Sequence, residues 1–152
     1  MVLEGKVFRG NNPTRIDEKG RLKLPAEFKR QIDEGYGTQF FITSRDSKRA
    51  EIYPMQEWEK FEAKLAAIPN FNPAKKKLME RINYYGHSTE MDTQGRLLIP
   101  QLMREELNVT GDVNVFGMHT YFEIANREEF KRKMDAEPLT AEDEESLASF
   151  GL

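Results

Sequence analysis

Residues 16–25 read I-D-E-K-G-R-L-K-L-P, and residues 91–100 read M-D-T-Q-G-R-L-L-I-P. The two stretches lie 75 positions apart and share five residue types at the same spacing. The identical pairs are Asp17/Asp92, Gly20/Gly95, Arg21/Arg96, Leu22/Leu97 and Pro25/Pro100. A likeness at one fixed offset indicates an internal repeat. Two copies favour a pseudo-twofold pair of units over a solenoid, which needs at least about three repeats.

Each repeated stretch has the chemistry of a tight turn between two short strands. Asp17 and Asp92 open the turns, where a carboxylate can accept backbone N–H groups. Gly20 and Gly95 close them, because glycine reaches positive φ without a steric cost. These four residues are therefore predicted to form the turns. Strands are predicted at 14–16, 21–24, 89–91 and 96–99.

The remainder of each unit follows a common plan of helices and a second hairpin. A proline after each turn predicts short helices over 25–31 and 100–107, because a first helical turn has no partner for the missing proline N–H. β-branched and aromatic residues then predict a second hairpin in each unit. Residues 126–129 resemble a capping box at the start of another helix. Further helices are predicted over 54–67 and 75–85.

The predicted strands are too short to be stable as isolated hairpins. The two units are therefore expected to pair with each other and to bury a shared face. Only 38% of the residues are apolar, so one copy has little core for its several apolar helix faces. Oligomerisation is expected to contribute to the stability.

The composition excludes several classes of site and protein. The 152 residues contain no cysteine, which excludes disulfides, thiolate metal sites and cysteine nucleophiles. No run approaches the roughly 18 apolar residues of a membrane helix. Residues 1–8 lack the apolar core of a signal sequence. The sequence therefore predicts a soluble, unsecreted protein.

Charge is segregated along the chain, although the net charge is only −3. Residues 1–49 hold eleven Lys and Arg against seven Asp and Glu, whereas residues 135–152 hold six acidic residues and no basic ones. The basic first part is compatible with a polyanionic partner. The acidic segment after Pro138 is predicted to be a mobile tail, which either keeps the protein soluble or modulates access to a basic surface elsewhere.

The arginine after each turn points to nucleic acid. A turn of this kind needs aspartate and glycine but has no evident need for Arg21 or Arg96. Arginine presents a rigid fork of donors to phosphates and base edges. One such surface would bind weakly, but several copies in an oligomer could bind well through avidity. The alternative is an ordinary surface turn with solvated charges.

The first unit is the more basic of the two. Its turn contains a lysine, and further cations lie on both sides of that turn in the sequence. The second unit has uncharged or acidic residues at the equivalent positions. The equivalent pairs are Arg15/Glu90, Lys19/Gln94 and Lys23/Leu98.

Together with Phe8-Arg9-Gly10-Asn11 and Tyr84-Tyr85-Gly86-His87, the two turns resemble the MraZ family of bacterial transcriptional regulators over roughly residues 8–147. The resemblance implies an α+β fold of two tandem AbrB-like swapped-hairpin units, which form a small interleaved β-barrel with flanking helices. It also implies a closed ring of subunits that binds repeated promoter boxes upstream of division and cell-wall genes and usually represses its own operon.

The resemblance also carries expectations about residues, partners and location. It implies DNA contacts by Lys19 and Arg21, with Arg96 as the equivalent, and charge and proximity add Arg15 to this set. The expected partners are double-stranded DNA and further copies of the chain, with no cofactor, metal, membrane or small-molecule substrate. The expected location is the cytoplasm, in association with the nucleoid. The expected parts are AbrB-like unit 1 at 8–68, a connecting helix at 69–86, AbrB-like unit 2 at 87–137 and an acidic C-terminal tail at 138–152.

An enzyme is the main rival class. His87 lies near Ser88, Glu90 and Asp92, which invites a triad or a metal site, but no second histidine is near in sequence. A catalytic or metal site needs converging groups that are missing here. A histidine packed at the start of a strand is the simpler interpretation of His87. The other histidine, His119, is expected in a surface turn.

A protein scaffold without DNA binding is the second rival. Trp58, Phe61 and Leu65 form an apolar stripe at helical spacing, which is typical of a core or of a docking face. A scaffold would explain the stripe but not the repeated arginine. Lys75-Lys76-Lys77 fits either a phosphate contact or a solvated helix face.

Overall fold

The computed structural model describes residues 7–152. The prediction that no signal sequence is present rests mainly on residues 1–6, which lie outside the described part. The strands are β1 (Asn11–Arg15), β2 (Arg21–Lys23), β3 (Gln39–Thr43), β4 (Ala50–Pro54), β5 (His87–Glu90), β6 (Arg96–Leu98), β7 (Asp112–Gly117) and β8 (Phe122–Asn126). The helices are α1 (Ala26–Gly35), α2 (Met55–Ala66), α3 (Pro73–Tyr85), α4 (Gln101–Glu106), α5 (Arg127–Ala136) and α6 (Ala141–Ala148).

The order of these elements occurs twice. Two strands, a helix, two strands and two helices run from β1 to α3, and the same order runs from β5 to α6. The repeat predicted from the sequence is therefore confirmed as a repeat of structure in a mixed α+β protein. Within the described residues, no helix is both long enough and apolar enough to span a membrane.

The strands of the two units pair with one another. A six-stranded antiparallel sheet has the order β1-β7-β8-β4-β3-β5, and β2 pairs with β6 in a separate two-stranded ribbon. The predicted second hairpins, β3–β4 and β7–β8, lie at the centre of the large sheet. Strands β1, β2 and β6 all take their partners from the other unit, which confirms that the units pair with each other.

A single main core joins both units. Leu22 and Leu97 are register partners in the ribbon, and both side chains are completely buried. The rings of Phe8, Phe28 and Phe122 pack against one another, with ring centroids 5.2–5.7 Å apart. Burial of a large apolar side chain contributes about 1.5–3 kcal/mol. Neither unit could therefore keep this core if the other were removed.

Helix α2 closes a second, smaller cluster on the other face of the sheet. Trp58 is 3% exposed and stacks on Phe41 with ring centroids 4.5 Å apart. Leu65 is also buried, and Phe61 packs against the same cluster. The apolar stripe of α2 is therefore packed within the chain, so it does not provide the docking face of a scaffold.

Three helix predictions need correction in detail. Helix α1 continues to Gly35 rather than ending at Gln31, and prolines 25 and 100 precede their helices as N-caps. Asn126 caps α5 by accepting a hydrogen bond from the Glu129 backbone N–H at 3.0 Å. The capping box is only half formed, because the Glu129 carboxylate instead accepts a hydrogen bond from the Asn108 amide at 3.0 Å.

The acidic segment after Pro138 was predicted to be a mobile tail, and the structure shows that residues 141–148 of it are helical. They form helix α6, which begins with a complete capping box between Thr140 and Asp143. The Asp143 N–H donates to the Thr140 hydroxyl at 3.0 Å, and the Thr140 N–H donates to the Asp143 carboxylate at 2.9 Å. Such reciprocal bonds satisfy two N–H groups at a helix start, and this local signal prevails over the acidic composition.

Candidate nucleic-acid interface

The first turn, Asp17–Gly20, is held by the carboxylate that opens it. Asp17 Oδ1 accepts hydrogen bonds from the backbone N–H groups of Lys19 at 2.9 Å and of Arg21 at 2.8 Å. The Gly20 N–H donates to the Asp17 carbonyl at 2.9 Å, and Gly20 has a φ of +82°. Asp17 thus accepts backbone N–H groups within the turn, and Gly20 has the positive φ there.

The second turn, Asp92–Gly95, repeats this geometry. Asp92 Oδ1 accepts hydrogen bonds from the backbone N–H groups of Gln94 and Arg96, both at 2.9 Å, and Gly95 has a φ of +76°. In both turns these backbone bonds stabilise the ionised carboxylate. They lower the pKa of Asp17 and of Asp92, and the hydrogen bond from the backbone of the following arginine is the largest cause.

The two arginines have a structural contact that sequence reasoning missed. Nε of Arg21 donates to Asp17 Oδ2, and Nε of Arg96 donates to Asp92 Oδ2, each at 2.8 Å. Both arginines therefore take part in their turns as well as facing solvent. The terminal Nη atoms of both arginines make no hydrogen bond within residues 7–152. The side chains are 33% and 25% exposed, so the Nη atoms can still meet a ligand.

Each turn rests on the helix that follows the other turn. A Cβ atom at Gly20 would lie 2.6 Å from Cζ of Arg104 in α4, and one at Gly95 would lie 2.8 Å from Cδ of Lys29 in α1. Lys29 and Arg104 are themselves 75 positions apart. Sequence reasoning missed Arg104 as a neighbour of the first turn, although the same offset would have revealed this cationic pair.

The ribbon presents a basic face on the side opposite the core. Leu22 and Leu97 point inward, so the alternation of a strand puts their neighbours on the other side. Arg21 is the register partner of Leu98, and Lys23 is the register partner of Arg96. We call the set Arg21, Lys23, Arg96 and Leu98 the ribbon face.

The ribbon pairing places a cation of the first unit beside the second turn. Directly opposed residues in an antiparallel pair have Cβ atoms about 4.5–5.5 Å apart. Lys23 of the first unit therefore stands beside Arg96, close to the second turn, where Gln94 replaces the lysine of the first. Leu98 of the second unit stands beside Arg21 and is 49% exposed.

A cleft of ≈ 610 Å³ lies beside the first turn, and four cationic side chains line it. Lys19 is exposed, and Arg15 is exposed but forms an ion pair with Asp112 at 2.9 Å. Both side chains of this pair are more than half exposed, so its stabilisation is small. The cationic residues at the cleft are Arg15, Lys19, Arg21 and Arg104. The fourth predicted contact, Arg96, is on the ribbon face but outside this cleft.

The histidines do not form a site. His87 is exposed on β5, the edge strand of the large sheet, so the expectation that it is packed is wrong. His119 is exposed with a φ of +66°, as expected for a surface turn. Across residues 7–152, no three His, Cys, Asp or Glu side chains are grouped so that they could hold a metal ion.

Comparisons with known proteins match nearly the whole chain. Residues 7–81 and 86–150 match the family described as "MraZ protein, putative antitoxin-like". The chain is 68% identical over 146 residues to the transcriptional regulator MraZ of Acidobacterium capsulatum, covering 96% of this chain and 100% of that protein. It is 51% identical over 147 residues to the transcriptional regulator MraZ of Koribacter versatilis, with 96% and 100% covered. The transcriptional regulator MraZ of Syntrophobacter fumaroxidans is 38% identical over 120 residues, which are 79% of each chain.

Proposed function

The chain belongs to the MraZ family, and on that premise we propose that it is a transcriptional regulator that binds double-stranded DNA through the ribbon face and the two turns. The observation that carries the proposal is the ribbon face itself. It holds three cations, Arg21, Lys23 and Arg96, on a two-stranded antiparallel ribbon. The major groove of B-DNA admits a two-stranded ribbon of this kind.

The residues divide into base readers and phosphate contacts. Arg21 and Arg96 are held at Nε by the turn aspartates, so their Nη atoms reach DNA from a fixed position. A guanidinium oriented in this way suits bidentate contact with guanine or phosphate. Lys19 and Arg15 are exposed and contact phosphates at the first turn. Arg15 leaves its ion pair with Asp112 when it binds a phosphate.

We assign the fold to the AbrB-like swapped-hairpin class, with units at 8–68 and 87–137 joined by a connecting helix at 69–86. The pairing of β2 with β6 and of β1 with β7 supports this assignment, because each unit completes the sheet of the other. Several copies form a closed ring that presents the ribbon faces to repeated promoter boxes. The protein acts in the cytoplasm on the nucleoid and represses its own division and cell-wall operon by obstructing transcription.

The first test is a gel shift with DNA from upstream of the gene of this protein, with scrambled DNA as competitor, at two salt concentrations. Displacement of counterions by cations makes protein–DNA affinity fall steeply with salt. We expect specific shifts in discrete steps that weaken at high salt. If folded protein gives no specific shift on this DNA or on other promoter DNA, the proposed function is wrong.

A further inference from the structure

We propose that helix α6 of one copy docks into a groove beside helix α3 of a second copy. The inference deepens the ring assembly proposed above and rests on it. It assigns the contact between subunits to two different surfaces, one on the helix that follows the first unit and one on the helix that follows the second. The groove, which we call the α3 groove, has a volume of ≈ 360 Å³. Its lining residues are Asn70, Lys75, Lys76, Met79, Glu80 and Asn83.

Helix α6 is not covered by any other part of residues 7–152. All residues from 135 to 152 are exposed, and none of α6 is buried. A helix of eight residues is far below the roughly 12–15 residues that make an isolated helix even marginally stable in water. Four large apolar side chains around it are open to solvent: Leu139 at 70%, Leu147 at 39%, Phe150 at 81% and Leu152 at 87%. Large apolar side chains concentrated in one short exposed segment are typical of a surface that contacts a partner.

The α3 groove offers the complementary shape and polarity. Met79 is 39% exposed in the groove, and Phe71 is 90% exposed in the loop before α3. The groove is lined largely by apolar atoms, because the aliphatic stems of Lys75 and Lys76 contribute to its walls. Its volume is sufficient for the ring of Phe150 from another copy.

The charges select the same occupant. Lys75 is buried and donates from Nζ to the Ile68 carbonyl and the Asn70 side chain, each at 2.8 Å, so its role is structural. Lys76 lines the groove and Lys77 is its neighbour on α3; both are exposed and form no ion pair within residues 7–152. Residues 135–152 carry six acidic side chains and no basic one. Together with Glu80, the other exposed charged residue of the groove, the two lysines carry a net charge of +1. The acidic segment complements this charge, whereas it repels DNA and anionic lipid.

A second copy of the chain therefore fits best, and the geometry is head-to-tail. The acidic helix follows the second unit, whereas the α3 groove follows the first. A contact between two different surfaces leaves one free surface on each side of a pair. Such heterologous contacts add further copies until a ring closes. The DNA-binding turns take no part in this contact.

Charge reversal tests the contact in the full chain. The α6 variant is Glu142→Lys/Glu145→Lys, which spares the capping box, and the α3 variant is Lys76→Glu/Lys77→Glu. Each alone is expected to raise the concentration at which the assembly half-dissociates by about tenfold or more, because like charges then face each other. The two variants combined should restore the assembly. Mass is measured by light scattering after size exclusion, with thermal melting as a check on folding.

Matched controls separate this contact from general electrostatics. Glu27→Lys/Glu34→Lys places the same charge change on exposed positions of α1 and should leave the mass unchanged. Phe150→Ser should dissociate the assembly, because the variant has no phenyl side chain to fill the α3 groove of the next copy. Met118→Ser, at another exposed apolar site, should not. Dissociation by the α6 variant without rescue by the α3 variant would overturn the choice of the α3 groove.

The outcomes also distinguish this inference from the proposed function. If the wild-type chain assembles but neither charge reversal changes its mass, the contact is wrong and the ring proposal stands. If the wild-type chain is monomeric at all concentrations tested, both the contact and the ring are wrong. DNA binding is then still decided by the gel shift.

Discussion

The two turns have the same backbone geometry but different surroundings. Both aspartates make the same hydrogen bonds to backbone and arginine, with equivalent distances that agree within 0.1 Å. The first turn contains Lys19 and adjoins a cleft with Arg15, whereas the second contains Gln94 and follows Glu90. The backbone of the turn therefore keeps the same conformation although the charged residues around it differ.

Replacement of the turn glycines is expected to have the largest effect and to test whether the two turns are equally tight. Gly20→Val forces a β-branched residue to positive φ and pushes Cβ against Arg104, whose Nε already donates to the Ile99 carbonyl at 3.0 Å. We expect a loss of about 3 kcal/mol in the free energy of unfolding. Gly95→Val should cost less, because Cβ would meet the flexible stem of Lys29. Urea unfolding measures both values.

If Gly20→Val unfolds at the same urea concentration as the wild type, the explanation by positive φ and contact with Arg104 is wrong. Gly35→Val is the control, because Gly35 has no neighbour within 4 Å of an added Cβ and does not have a positive φ.

Loss of the turn arginines tests whether both ends of the ribbon read DNA. Arg21→Ala is expected to raise the Kd for specific DNA by about 10- to 100-fold, which corresponds to about 1–3 kcal/mol for one bidentate contact. Arg96→Ala should have an effect of the same order. Titration by fluorescence anisotropy gives both values, with Lys64→Ala on the exposed side of α2 as the control. Because Arg21 also bonds to Asp17, the melting temperature of each variant is measured alongside. An unchanged Kd and salt slope for Arg21→Ala would place the DNA surface elsewhere.

An exchange of Lys23 and Leu98 tests whether a cation beside Arg96 on the ribbon contributes to DNA binding. Lys23→Leu removes the cation beside Arg96 and should raise the Kd about fivefold, with a salt slope smaller by about 0.9 if one phosphate contact is lost. Leu98→Lys should have the opposite effect, because it adds a cation beside Arg21. The double exchange should return the Kd and the slope close to wild type. If Lys23→Leu has no effect, the ribbon face is not the DNA surface at this end.

The smallest effect is expected from the acid titration of the two turns. The pKa of Asp17 and that of Asp92 are lowered in the folded protein, mainly by backbone hydrogen bonds from Arg21 and Arg96. The stabilisation is therefore complete above the unfolded pKa of about 3.9 and is lost as the pH falls below it through the lowered pKa. Asp17→Asn/Asp92→Asn should flatten the acid side of the stability curve below the unfolded pKa. Carboxyl NMR titration of each aspartate checks the direction, and a raised pKa at either site would contradict this account.

The sequence predicted features that depend on neighbouring residues. The turns could be predicted because Asp17, Gly20 and Arg21 bond within five positions. The C-terminal helix was not predicted, although its signal, the capping box of Thr140 and Asp143, is also local. Arg104 and the partnership of Lys23 with Arg96 were missed for a different reason. They depend on pairing between segments about 75 residues apart.

The sequence by itself therefore determined the repeat, the shape of each turn and the presence of an arginine after it. Those features follow from the short-range demands of carboxylate, glycine and proline on the backbone. Only the tertiary structure decided which cations share a surface. Leu22 and Leu97 are buried together by pairing β2 with β6, and that pairing carries Lys23 of one unit to Arg96 of the other. Burial of apolar surface is not directional and does not by itself select a pairing partner. The register of the ribbon therefore decides which charged side chains are neighbours.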